Sequence, residues 1–270
     1  KTKLLLCIAA LTFSNLSTAE TVLNAPEYKP LNNVRVSMQR MLRSSEGRYF
    51  LSLYAGIWNP HATLYDLIED QTINLKGLQK GDQLNLKSVD ADPENITSRT
   101  YQLSGMLNAN SGDLKAMFAE GDDALGKSIQ FEPAIKVTDK PNFIFKFYGL
   151  EDIQQPYGSV LKRVDIVNKN NNSVVQELSG FSAFPKSIGY MDVNFDGYYD
   201  IVLSDISEER TIQDKRYIYW MFNPKTQQFQ RSPQLERIIG FPKLQGDKQQ
   251  IDFGDGQMYQ VEKGLLNRIE

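Results

Sequence analysis

The feature that most constrains the fold of this chain is its punctuation. Short runs of apolar and β-branched residues are interrupted at close intervals by clusters of Gly, Asn, Asp and Pro. Tyr49-Phe50-Leu51-Ser52-Leu53-Tyr54 is one such run, and residues 62–67, 71–75 and 83–88 follow it, set apart by Gly77 and Gly81. Residues 99–108 and 114–120 flank Asn110-Ser111-Gly112-Asp113, and residues 160–168 and 173–178 flank Lys169-Asn170-Asn171-Asn172. Residues 216–222 and 228–232 flank Asn223-Pro224-Lys225-Thr226, and residues 249–253 and 258–261 flank Gly254-Asp255-Gly256. Turn residues between short β-rich runs are hairpin signals, and a chain made of them closes into an antiparallel sandwich or barrel. The fold class expected is therefore all-β. An antiparallel, β-sandwich-like C-terminal half (140–270) is expected to follow a smaller N-terminal β-rich domain (45–135). Pro133 and Pro141 mark the boundary. A lead-in segment, 20–44, precedes both, with one short helix over 33–42.

One turn carries chemistry. Asp192-Val193-Asn194-Phe195-Asp196-Gly197-Tyr198-Tyr199-Asp200 reads D-x-N-x-D-G-x-x-D. Hard cations such as Ca²⁺ take six to eight oxygen ligands, and the EF-hand loop supplies them from positions 1, 3, 5, 7 (a backbone carbonyl) and 9, with Gly at 6. The matching groups are Asp192, Asn194, Asp196, the carbonyl of Tyr198, and Asp200, with Gly197 at the turn. Position 12 is Leu203 and not the bidentate Glu. Ile188-Gly189-Tyr190-Met191 enters the loop and Ile201-Val202-Leu203 leaves it as β-rich runs. The expectation is a nine-residue calcium loop between strands that stabilises a sheet. The plainer alternative is a solvated acidic turn.

Lys1-Thr2-Lys3 precedes the apolar run 4–11, which is too short to span a bilayer. Ser17-Thr18-Ala19 supplies small residues at a cleavage spacing. Residues 1–19 are therefore read as a secretory signal peptide cleaved after Ala19, and the protein as periplasmic with no membrane anchor. Cys7, the one cysteine, would leave with that segment. A secreted protein without disulfides needs a large core, a metal, or both. The whole chain has 30 basic and 33 acidic residues; loss of Lys1 and Lys3 leaves 28 against 33, net −5. No basic cluster with interleaved aromatics points to nucleic acid.

The sequence offers no convincing catalytic set, and no enzyme activity is expected. His61 is the only histidine; without a His pair or a mature Cys no zinc site is expected, and no Ser-His-Asp or Cys-His nucleophile is convincing. It follows Trp58-Asn59-Pro60 and reads as a surface turn. Ser159-Val160-Leu161-Lys162 matches S-x-x-K without its companion motifs, and Asp252-Phe253-Gly254 stands without any other kinase element. The acidic pairs Asp122-Asp123 and Glu208-Glu209 read as solvated loops. On the strand 217–222, Ile218, Trp220 and Phe222 are the better core face. Tyr217 and Tyr219 share the other face, available for packing or for a protein partner.

The segment from Gly189 to Ile238, with its acidic loop, Tyr217-Ile218-Tyr219-Trp220, the Asn223-Pro224 turn and Phe229 before Ser232-Pro233, resembles a known family. It is similar to bacterial periplasmic immunity proteins that neutralise a peptidoglycan-degrading effector delivered by a rival's type IV secretion system. That family is related in fold to periplasmic inhibitors of invertebrate-type lysozyme. The likeness extends over 140–265, and Gly256-Gln257-Met258-Tyr259 and Gly264-Leu265-Leu266 fit its end. The resemblance implies a calcium-dependent, non-catalytic protein whose partner is a peptidoglycan hydrolase or lysozyme-like effector. It carries over the five calcium ligands named above and no effector-contacting residue. A second reading is an envelope structural or adhesion-like module stabilised by calcium; a single loop weighs against it, because propeller-type modules repeat theirs.

Overall fold

The computed structural model describes residues 27–56, 58–89, 99–121, 126–151, 157–207 and 209–269. The signal segment 1–19 with Cys7, the first part of the lead-in, Asp122-Asp123 and Glu208 lie outside them. The described residues are almost entirely β, as the turn pattern predicts.

After a two-residue strand, β1 (Lys29–Pro30), eight strands run as a meander. They are β2 (Val36–Ser44), β3 (Tyr49–Ala55), β4 (His61–Asp66), β5 (Gln71–Lys80), β6 (Gln83–Ser88), β7 (Tyr101–Leu107), β8 (Leu114–Glu120) and β9 (Lys127–Pro133). Each pairs antiparallel with the next, and β9 returns to β2 through Leu42↔Pro133, Arg43↔Glu132 and Ser44↔Phe131. The sheet therefore closes into an eight-stranded barrel. A barrel of this size is filled by its own side chains. Here Leu42, Leu51, Leu53, Leu64, Leu84 and Phe131, each at most 1% exposed, pack the interior. β6 and β9 alternate buried and exposed residues because their outer faces meet water.

The helix expected over 33–42 is not formed: most of that segment is strand β2. Met, Gln, Arg and Leu are good helix formers. Tertiary pairing overrides that preference, because this strand closes the barrel.

The second half contains β10 (Phe143–Glu151), β11 (Ser159–Asn168), β12 (Val174–Leu178), β13 (Ala183–Met191), β14 (Asp200–Asp205), β15 (Tyr217–Asn223) and β16 (Gln228–Arg231). The short helix α1 (Pro233–Glu236) leads to a separate small sheet of β17 (Lys243–Gln245), β18 (Gln250–Asp252), β19 (Met258–Glu262) and β20 (Leu265–Arg268). Pairings β10–β11, β11–β12, β13–β14, β14–β15 and β15–β16 are all antiparallel. One pairing is parallel: β13 lies beside β2 through Ile188↔Val36, Gly189↔Ser37 and Tyr190↔Met38. Strand β2 is thus both a barrel stave and an edge of the second sheet, so the barrel and the second half share one hydrogen-bonded ladder.

Two cores sit on either side of that second sheet. Ile218 and Phe222 lie in one, with Trp220 packed against it, beneath the β10–β12 strands. Tyr219 is fully buried in the other, between the small sheet and the outer wall of the barrel at Met41, Phe50 and Tyr54. The Tyr217/Tyr219 face is therefore packing surface and not an open partner face. Burial on both sides explains why all seven residues of β3 are inaccessible. Contact is close: a Cβ on Gly246 would lie 2.3 Å from Met41 Sδ and 2.8 Å from Phe50 Cζ. Among the described residues no helix is long and apolar enough to cross a membrane.

Candidate metal centre

The acidic loop fills the turn between β13 and β14, whose ends meet at Met191↔Asp200. Its apolar residues are its anchors. Val193 and Phe195 enter the core shared with the small sheet, and Tyr198 enters the opposite one. The alternate polar residues are thereby held against protein on both sides. Asp192 is 4% exposed and Asp200 is fully buried; Asn194 and Asp196 are half-buried.

Backbone amides hold the carboxylates in place. The N–H groups of Asp196 and Gly197 donate to Asp192 Oδ1 and Oδ2 at 3.0 and 2.9 Å. Tyr198 N–H donates to Asp196 Oδ1 at 2.9 Å, and Asn194 Nδ2 donates to Asp196 Oδ2 at 2.9 Å. Asp200 reaches farthest. Its Oδ2 accepts from Val193 N–H at 2.9 Å, and its Oδ1 accepts from Phe222 N–H on β15 at 2.8 Å. One carboxylate thus ties the loop, the start of β14 and the next strand together.

The linker between the two halves crosses this loop as a strap. Tyr198 Oη donates to Asp139 Oδ1. Lys140 Nζ sits 5.1 Å from the centre of the Tyr199 ring. Ile135 and Val137 lie directly over Gly197, where an added Cβ would fall 2.9 and 2.7 Å from their methyl carbons. Gly197 also has φ +90°, a conformation costly for any residue with a Cβ. Gly197→Ala is accordingly expected to destabilise the protein by about 1–3 kcal/mol and to lift the strap. Faster tryptic cleavage after Lys136, alongside a lower melting temperature, is the readout; unchanged cleavage would mean the strap is held elsewhere.

The electrostatics of the loop are unfavourable without a cation. Burial, with the nearby Asp196 charge, pushes the Asp192 carboxyl up to about 7, although two amide bonds and Lys140 pull the other way. Burial and the Asp192 charge hold Asp200 well above the usual carboxylate range, against its two amide bonds. Each carboxylate oxygen that accepts an amide N–H keeps a second lone pair. An all-oxygen set of three carboxylates, one side-chain amide and one backbone carbonyl suits a hard cation. The fit is one of chemistry and demand. Among the described residues no three Asp, Glu, His or Cys side chains are gathered into a cluster that could hold a metal by themselves. A cation here would depend on Asn194 Oδ1 and the Tyr198 carbonyl as well as the acids.

Other residues singled out from sequence have structural partners. His61 stacks on Tyr54 with ring centres 4.6 Å apart, and its Nδ1–H donates to the Asn59 carbonyl at 2.8 Å. Lys162 Nζ donates to Ser182 Oγ at 2.6 Å. Asp252 Oδ1 caps a turn by accepting from Gly254 N–H at 2.7 Å.

The strap residues Asp139 and Lys140, and Arg40 on β2, were not legible as site residues. Only the spacing of Pro133 and Pro141 hinted that this stretch was a connection. Arg40 and Lys140 line a cleft of about 690 Å³ that runs from the barrel mouth to the acidic loop. Comparison with protein-family models and with characterised protein sequences returns no match, so any family reading rests on the residues of the loop and the strands beside it.

Proposed function

We propose that the protein is a periplasmic, calcium-stabilised, non-catalytic binding protein that inhibits a peptidoglycan hydrolase, of the immunity or lysozyme-inhibitor type. The observation that carries this reading is the placement of the acidic loop. Carboxylates that work on a glycan must reach it from either side of the scissile bond. Asp192 and Asp200 are buried, and both oxygens of each accept backbone N–H bonds. Their charge serves the sheet. Asp192, Asn194, Asp196, Asp200 and the Tyr198 carbonyl would hold the calcium ion. When bound, calcium supplies the positive charge that lets the buried acids ionise together.

The hydrolase as partner comes from the resemblance of residues 189–238 to periplasmic immunity proteins, and the periplasm from the 1–19 segment. The test is a pull-down from envelope fractions and from the secreted fraction of competing bacteria, in calcium and then in chelator, followed by a muramidase assay on the captured enzyme. Capture of a peptidoglycan hydrolase in calcium, with loss of its activity in the complex, is the expected result. If no hydrolase is captured and deletion leaves cells no more sensitive to one, the inhibitor reading fails.

A further inference from the structure

The cleft between the barrel mouth and the acidic loop holds a buried cation, Arg40, that forms no ion pair with the acids lining it. Arg40 is only 9% exposed, and its guanidinium cannot lose its proton. One terminal nitrogen donates to the Ala109 carbonyl at 2.9 Å, and Nε has no partner. Neither Arg40 nor Lys140 takes part in any ion pair of the described residues. Arg40 and Lys140 line the same cleft, and Lys140 Nζ lies over the Tyr199 ring. A buried charge without a partner is strongly unfavourable unless something of opposite sign occupies the site.

We propose that this cleft binds a carboxylate, with Arg40 and Lys140 holding the anion and the stacked Tyr190–Tyr199 pair supporting the group that bears it. The two tyrosine rings lie 4.8 Å apart and line the cleft together with Phe143 and Phe145. Such a wall suits a ring or an aliphatic body. Asp192 and Asp113 also line the cleft, so a monoanion is favoured over a phosphate dianion, which they would repel. The carboxylate can come from a free small acid or from a Glu or Asp side chain of a bound protein. The inference does not depend on the partner being a hydrolase.

Titration calorimetry on the full chain with calcium present tests it. The probes are benzoate, its neutral counterpart benzamide, inorganic phosphate, glucuronate, and a tetraglutamate peptide blocked at both ends. Benzoate is expected to bind at least tenfold more tightly than benzamide or phosphate. Lys140→Gln, a substitution at an exposed position whose folding is checked by its melting temperature, is expected to weaken it about tenfold, and Arg40→Gln further. Binding of glucuronate without the peptide identifies a small acid as the source; binding of the peptide identifies a partner's side chain. Equal binding of benzoate and benzamide, or benzoate affinity unchanged by Lys140→Gln, overturns the proposal, whatever Arg40→Gln does to folding.

Discussion

Asp200→Ala is expected to be among the most damaging single substitutions in this protein. It strips the acceptor from two buried backbone donors, Val193 N–H and Phe222 N–H. Each buried donor left unsatisfied costs about 1–3 kcal/mol, so the loss is roughly 2–6 kcal/mol before any calcium is considered. That is a large part of the 5–15 kcal/mol typical of a folded domain. An opposing effect exists, because the buried Asp200 charge is itself disfavoured by burial and by Asp192. Asp200→Asn separates the two. It keeps one acceptor oxygen and removes the charge, so in chelator it is expected to cost far less than Ala. In calcium the gap between Asn and wild type should widen, because a neutral amide is a weaker ligand for a hard cation. Urea unfolding midpoints for the three proteins, with and without calcium, provide the check. An Ala variant with an unchanged midpoint would show that Asp200 does not tie β14 to β15.

The all-β class was readable because hairpin turns are local. Asn110 to Asp113, Asn170 to Asn172 and Asn223-Pro224 each join strands that pair with their sequence neighbour. The closure of the barrel was not readable, because β2 and β9 are about ninety residues apart and nothing in either run announces the other. β2 was misread for a physical reason. It is buried on both faces from Gln39 to Leu42, so it lacks the alternation that marks a half-buried strand. β9 has that alternation, through Ile129 and Phe131, yet its closing proline made the stretch look like a boundary. The acidic loop was legible because its ligand spacing is written within nine residues. Its setting was not: the strap contacts of Asp139 and Lys140 and the burial of Arg40 come from elements more than fifty residues from the loop. The same limit hid the role of Tyr219, which is buried by a small sheet that the sequence shows only as a terminal hairpin.

In chelator, the protein is expected to lose stability as the pH rises from about 4 to 7, the reverse of ordinary acid denaturation. Asp192 is responsible. Its carboxyl titrates near 7 in the folded protein and near the ordinary value of 3.8 in the unfolded chain. Between those values the folded state holds a proton that the unfolded state has released. Stability from this group is therefore fully present below about pH 4 and lost as the pH climbs through 7. At about 1.4 kcal/mol per pKa unit, the loss is on the order of 4 kcal/mol. Asp200 is shifted in the same direction and steepens the trend. Asp66, bonded through both oxygens to Arg48, is shifted downward, so its contribution is present above the ordinary carboxylate range and is lost only on acidification below it. The two effects occupy different pH windows and can be told apart. Calcium competes with the protons at Asp192 and binds more tightly as they leave; at a hundredfold excess over its Kd it returns about 2.7 kcal/mol. Melting temperatures at pH 5, 6 and 7.5 should thus fall steeply in chelator and stay nearly level in calcium. Asp192→Asn should flatten the chelator series and abolish the calcium response. A chelated wild type as stable at pH 7.5 as at pH 5 would mean that the loop relieves its buried charge without a cation, and the calcium reading would fall with it.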